Sequence, residues 1–284
     1  MTDSVEASRA PLIEHIVELR NRLLICVGGL MLTFIGCYFV ADDIFNFLVR
    51  PLTDILIEQG YEPRLVYTHL VEAFFTKLKV AFWTAFFVCF PLFLSQLWLF
   101  IAPGLYKHER QAFLPFLVAS PLLFYAGGAL VYYFIFPQAW SFFVSFQAPA
   151  SEGQVGTELL PRMGEYLSLV MKLIFAFGIC FQLPVMLALM GRVGMVSSAG
   201  LRKKRKYVVV LIFAVAAILT PPDVLSQVGL AIPLLILYEV SIWIVARIEK
   251  QKPARAAAEE AGLTALADEE GQAFAEETDF NFGR

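Results

Sequence analysis

The sequence predicts an all-α polytopic membrane protein with six transmembrane helices and both termini in the cytoplasm, and three observations predict it. The chain of 284 residues is 58% hydrophobic and 17% charged, with a mean hydropathy of +0.68. Soluble domains run at roughly 45–50% apolar and about 25% charged. The apolar residues also arrive in blocks, several of them near the roughly 20 residues that a bilayer crossing needs. Finally, the basic residues are unevenly divided among the segments that join these blocks.

The elements follow in order. Residues 1–22 form an amphipathic cytoplasmic segment. In EHIVELRNRL, residues 14–23, Glu14, Glu18 and Arg22 share one helix face at four-residue spacing, so Glu18 and Arg22 can pair. Leu12, Ile16, Leu19 and Leu23 take the other face. The plain reading is an interfacial helix with solvated charges. The acidic start lacks the basic, then apolar, then small-residue pattern of a cleaved signal peptide. The membrane domain spans 23–248, with spans at about 23–40, 74–102 (interrupted by Pro91), 112–136, 166–190, 207–219 and 228–246. The fifth is short for a core of about 30 Å. It is kept because Arg202 to Lys206 precede it and the turn-forming TPPD, residues 220–223, follows. A short span implies local thinning of the bilayer or a surface completed by a partner. The joining segments 41–72 and 138–164 are long, and DDIFNFLVRPLTDILIEQ has apolar residues at helical spacing, so a helix lying on the surface is expected there. Residues 249–284, rich in Ala and Glu, read as a mobile cytoplasmic tail.

Orientation comes from the cations. With the N-terminus inside, fifteen of the Lys and Arg up to residue 255 fall on cytoplasmic segments and six on outer segments and span edges. The turn FIAPGLYKHER, residues 100–110, is then cytoplasmic. It sets Glu109 among Lys107, His108 and Arg110. Glu18 and Glu109 thus each stand at the cytoplasmic mouth of the spans. Two such carboxylates near one another suit a ligand with two adjacent guanidinium groups, because Arg binds carboxylate through paired, charge-assisted hydrogen bonds.

Several functions are excluded. A net charge of -3 argues for no nucleic-acid partner. His15, His69 and His108 all lie outside the spans, so no serine protease base or metal cluster can be assembled within the membrane. No glycine-rich phosphate loop is present. Cys26, Cys37, Cys89 and Cys180 lack metal or redox spacing and read as buried small hydrophobes. No enzyme, cofactor or metal is expected. An ion-coupled solute transporter is the alternative. It calls for repeated halves, broken helices and several intramembrane charges. The chain has no repeat and few such charges. Gln182 lies about ten residues, ~15 Å along a helix, from Arg192. It either faces a cavity or makes interhelical hydrogen bonds. Glu239, eight residues before Arg247 in span six, either meets a partner helix or snorkels toward the cytoplasm.

The segments HIVELRNRL, FIAPGLYKHER, FYAGGALVYYFIFP, LRKKRKY and LTPPDVLSQ closely resemble the TatC family, the polytopic subunit of the twin-arginine protein translocase. The resemblance runs from about residue 11 to about residue 248, in order and with family spacing. It implies a concave, glove-like arrangement of six helices in the bacterial cytoplasmic (inner) membrane. It also implies a core that binds twin-arginine signal peptides of folded cargo and works with the single-span subunits TatA and TatB and with other TatC copies. The driving force would be the proton-motive force.

Carried over by resemblance, Glu18 and Glu109 bind the arginines, with Leu19, Arg20, Arg22, Phe100, Lys107 and His108 around them. Tyr132 and Gln182 are intramembrane cavity residues. Pro51, Asp223 and Gln227 belong to the periplasmic side and Thr220 to partner docking, to which Glu239 is added on its intramembrane charge and not on the resemblance. Two departures stand out. Asn21 replaces a lysine found in some members, and FQLP puts Gln182 where many carry glutamate, so no charge can be held there.

Overall fold

The computed structural model describes residues 3–101, 114–147, 156–157, 159–219 and 227–251, with only the backbone course given for 3–14, 101 and 114–115. Its helices are α1 (Asp3–Phe39), α2 (Ala41–Glu58), α3 (Glu72–Ile101), α4 (Leu114–Leu130), α5 (Phe136–Val144), α6 (Met163–Cys180), α7 (Leu183–Val193), α8 (Ser198–Leu219) and α9 (Gln227–Gln251). A π-helical turn, Val131–Ile135, joins α4 to α5. Among the described residues, five stretches are long and apolar enough to cross a membrane: His15–Phe39, Glu72–Phe100, Phe116–Val144, Met163–Val193 and Gln227–Gln251. α8 is not among them, because RKKRK fills its second turn and leaves a short apolar remainder.

The helices differ from the sequence reading in three places. The amphipathic EHIVELRNRL is no separate element: α1 runs unbroken for 37 residues. α3 continues through Pro91. The stretch Met163–Val193 breaks instead at Phe181 and Gln182, just before Pro184. α2 is helical over its amphipathic stretch, and its apolar side is buried at Leu48, Val49, Leu52, Ile55 and Leu56.

The chain forms two compact units. The first comprises Met1–Gln182 and Leu211–Leu234, the second Leu183–Val210 and Leu235–Arg284. In the first unit, small side chains let helices approach. Cys37, Ala41, Ala81 and Ala85 make the seam of α1 and α2 with α3, flanked by Leu30, Phe34, Tyr38 and Ile44. The Cys89 thiol donates to Thr33 Oγ1 (3.1 Å) and Thr33 donates to Gly29 O (2.9 Å), so both polar groups are satisfied inside the seam. α4 meets α6 at Gly127 and Gly178. A Cβ on Gly178 would stand 2.5 Å from the Phe124 ring, and one on Gly127 would stand 2.8 Å from Phe177 O, so only glycine allows this approach. Phe124 of α4 and Phe177 of α6 are fully buried at this approach, and Phe136 at the start of α5 is fully buried against Tyr132 and Trp140. The opposite side of α1, with Leu24, Met31, Leu32 and Phe39, is exposed apolar surface, as a bilayer-facing helix requires.

Two prolines inside helices are compensated in the same way. A proline supplies no N–H, so the carbonyl four residues earlier loses its helical partner. Pro51 frees Phe47 O, and the Tyr132 hydroxyl donates to it at 2.6 Å, with the Tyr132 ring stacked on Phe47 (centroids 4.4 Å apart, planes 7° apart). Tyr166 OH donates to the neighbouring Leu48 O at 3.2 Å. Pro91 frees Phe87 O, and Tyr125 OH sits 3.4 Å from it and 3.3 Å from Val88 O, a weaker version of the same contact. The π-helical turn begins one residue before Tyr132, so the extra residue in that turn sets the direction in which Tyr132 leaves its helix.

The second unit is held by Leu201, Tyr238, Ile242 and Val245, with Leu187, Val196 and Val208 packed on them. Tyr238 OH donates to Leu201 O at 2.8 Å. The Glu249 carboxylate accepts from Ser198 N–H (2.9 Å) and from Ser198 Oγ, capping the start of α8.

Candidate functional site: the carboxylate patch on α1

Glu18 and Arg22 stand one turn apart on α1, and they pair. Arg22 Nε donates to Glu18 Oε1 at 3.1 Å, and Nη2 reaches the same oxygen. Both guanidinium bonds converge on Oε1. Glu18 Oε2 faces His15 Nδ1 at 3.8 Å, too far for a hydrogen bond. Among the described residues it has no donor, so it can accept from an incoming one. Glu18 is partly open, with 34% of its side chain exposed. Arg20 turns away to Asn21 Oδ1 (3.2 and 3.3 Å), and Leu19 is exposed.

α3 completes the patch. The Phe100 ring stacks on His15, with centroids 4.3 Å apart and planes 18° apart. This contact joins the C-terminal end of α3 to the α1 turn that carries Glu18. Glu109 follows Phe100 by nine residues in the chain. Lys107, His108 and Glu109 lie outside the described residues, as do Thr220 and Asp223. His15 is the site residue that sequence reasoning missed. Its three-residue spacing from Glu18 gave a signal, since i and i+3 share a helix face, but its stacking on Phe100 spans 85 positions.

The remaining sequence-predicted residues lie elsewhere. Tyr132 and Pro51 come together through Phe47. Tyr132 also lines an apolar cavity of about 620 Å³ with Phe47, Trp83, Phe87, Tyr125 and Phe175. Gln182, at the break after α6, makes a reciprocal pair with Ser120 of α4. Ser120 Oγ donates to Gln182 Oε1 (2.8 Å), and Gln182 Nε2 donates to Ser120 O (2.9 Å). The amide thus ties α4 to the end of α6. Gln227 Nε2 donates to Phe213 O at 3.1 Å, linking α9 to α8. Glu239 has a partner within the chain, Arg205 of the RKKRK cluster, at 2.5 Å. Its carboxylate therefore lies level with those cations. The described residues hold no group of three His, Cys, Asp or Glu fit for a metal ion.

A family model described as Sec-independent protein translocase protein (TatC) matches residues 14–233. Among curated proteins, the Sec-independent protein translocase protein TatC of Magnetococcus marinus is 53% identical over 253 residues, covering 89% of this chain and 90% of the relative. The Rickettsia prowazekii protein of the same name is 44% identical, covering 83% of this chain and 92% of its own length. The Escherichia coli K12 protein is 43% identical, covering 84% and 89%. A crystal structure of the twin-arginine translocase receptor TatC in the detergent DDM aligns with a TM-score of 0.69 at 34% identity, over 81% of this chain and 98% of that one.

Proposed function

The chain belongs to the TatC family, a multi-pass membrane component of the Sec-independent protein translocase, and on that footing we propose that it is the core receptor that binds twin-arginine signal peptides at its cytoplasmic face. The observation that carries this reading is the joining of the Glu18 turn to the end of α3 through His15 and Phe100. It joins the end of α3, which the segment bearing Glu109 follows in the chain, to the turn that carries Glu18.

In this reading, one signal-peptide arginine binds the unused Oε2 of Glu18, and the other binds Glu109. Arg22 holds Glu18 by Oε1 and so fixes the direction of Oε2 before cargo arrives. Pre-orientation of this kind lowers the entropic cost of binding. Both termini lie in the cytoplasm, and the chain crosses the bacterial inner membrane six times, with α8 as the short fifth span in a concave arrangement. Residues 1–22 form its cytoplasmic segment, 23–248 its membrane domain and 249–284 its cytoplasmic tail. TatB and TatA dock along the last two spans, Thr220 and Glu239 included, and TatA assembles to pass folded cargo under the proton-motive force. Several TatC copies share one complex. Pro51, Asp223 and Gln227 order the periplasmic side.

Site-specific photocrosslinking of a twin-arginine preprotein to membrane vesicles tests this. Glu18→Ala and Glu109→Ala are each expected to weaken the crosslink while the protein inserts normally. Normal export by a Glu109→Arg variant would remove the turn from the binding site.

A further inference from the structure

The second compact unit carries cations that the signal-peptide site does not use. Arg202 to Lys206 are all exposed along the second turn of α8, and Arg205 is engaged by Glu239. Arg202 joins Arg247 and Lys250 of α9 in lining a cavity of about 970 Å³, together with Ser198, Trp243 and Glu249. Glu249 is the one carboxylate among the described lining residues, and its oxygens are already taken by Ser198. Three cations against one committed carboxylate leave the cavity positive. The Arg247 guanidinium lies 3.8 Å from the centre of the Trp243 ring. That stacking holds the fork flat, in the form suited to two oxygens of one phosphate.

The approach to the cavity is equally specific. Ile236, Val240, Trp243, Arg247 and Lys250 follow at steps of four, three, four and three, so they form one stripe along α9. Its first three members are exposed large hydrophobics, and its last two are the cations of the cavity. A surface that passes from apolar to cationic along one helix, with a Trp at the junction, matches the passage from acyl chain to phosphate in a lipid.

We propose that the cavity lined by Arg202, Trp243, Arg247 and Lys250 is a binding site for the phosphodiester headgroup of an anionic phospholipid, with an acyl chain lying along Ile236 and Val240. The site rests on the membrane reading of the chain and is independent of the Glu18 patch.

The test is native mass spectrometry of the full-length protein in detergent, titrated with dioleoylphosphatidylglycerol, with dioleoylphosphatidylcholine and with inorganic phosphate. The wild type is expected to retain phosphatidylglycerol about tenfold more tightly than phosphatidylcholine, and inorganic phosphate at millimolar concentration leaves the lipid bound. The triple variant Arg202→Gln, Arg247→Gln, Lys250→Gln loses this preference, whereas Arg64→Gln keeps it. Should the triple variant fail to fold, Arg247→Gln alone is expected to lower the preference about threefold. An unchanged preference in a folded variant, or displacement of the lipid by millimolar phosphate, overturns the proposal. Binding of a twin-arginine peptide is followed in the same samples. In the wild type, absence of peptide binding with the lipid preference present counts against the receptor reading alone, and peptide binding without a lipid preference counts against the lipid site alone.

Discussion

Around Tyr132, each polar group meets a need of the backbone. Pro51 frees a carbonyl, a π-helical turn aims the tyrosine, and the hydroxyl supplies the missing donor. Around Glu18, the polar groups exceed what the helix requires. α1 would run through residues 15–23 with alanines there, yet it carries a partly exposed carboxylate with one oxygen held and the other without a hydrogen-bond partner among the described residues. The first region is spent on holding the fold, and the second leaves acceptor capacity for another molecule. Gln182 falls with the first: its amide gives and receives one hydrogen bond with Ser120, so its membrane position serves as a neutral tie between α4 and α6.

Substitutions can break or sharpen this contrast. The largest stability effect is expected for Tyr132→Phe, which leaves the Phe47 carbonyl without a donor and costs about 1–3 kcal/mol, measured by unfolding in detergent. Repeated in a Pro51→Ala background the loss should shrink, because an alanine at that position supplies the missing N–H. An equal loss in both backgrounds would disconnect the tyrosine from the proline. Next, Gln182→Leu should cost about 1 kcal/mol through the lost ties to Ser120, and Ser120→Ala should add little once Gln182 is gone. A full additive loss in the double variant would show that the two side chains are not coupled. The smallest stability effect belongs to Glu18→Gln. Its ion pair with Arg22 lies within one helix and is partly exposed, so the change should stay within about 0.5 kcal/mol. A large destabilisation would move Glu18 into the class of Tyr132.

Much of this contrast could be read in the sequence, where it depended on spacing within one element. Apolar blocks located the helices, and four-residue spacing gave the Glu18–Arg22 pair. The helical spacing of apolar residues in DDIFNFLVRPLTDILIEQ pointed to α2, although not to the burial of its apolar side. Long-range geometry was not legible. Nothing in the spacing of Pro51 and Tyr132 says that one completes the other across 81 positions, or that His15 will meet Phe100. Pro91 suggested an interruption, but α3 continues because a proline inside a packed helix needs only a replacement donor for one carbonyl, and Tyr125 stands near it. The break came before Pro184, where Gln182 could be tied to Ser120. Glu239 read as an isolated intramembrane charge because its partner, Arg205, is 34 residues away and on another helix.

The central claim is that Glu18 Oε2 is an acceptor for a cargo guanidinium. The most direct measurement is the affinity of the purified protein for a twin-arginine signal peptide and for the same peptide with both arginines changed to lysine, in wild type and in Glu18→Gln. The wild type is expected to prefer arginine by about tenfold, since a guanidinium can converge two N–H groups on Oε2, as Arg22 does on Oε1, and an ammonium cannot, and Glu18→Gln is expected to lose most of that preference. An arginine preference that survives Glu18→Gln undiminished would contradict the account.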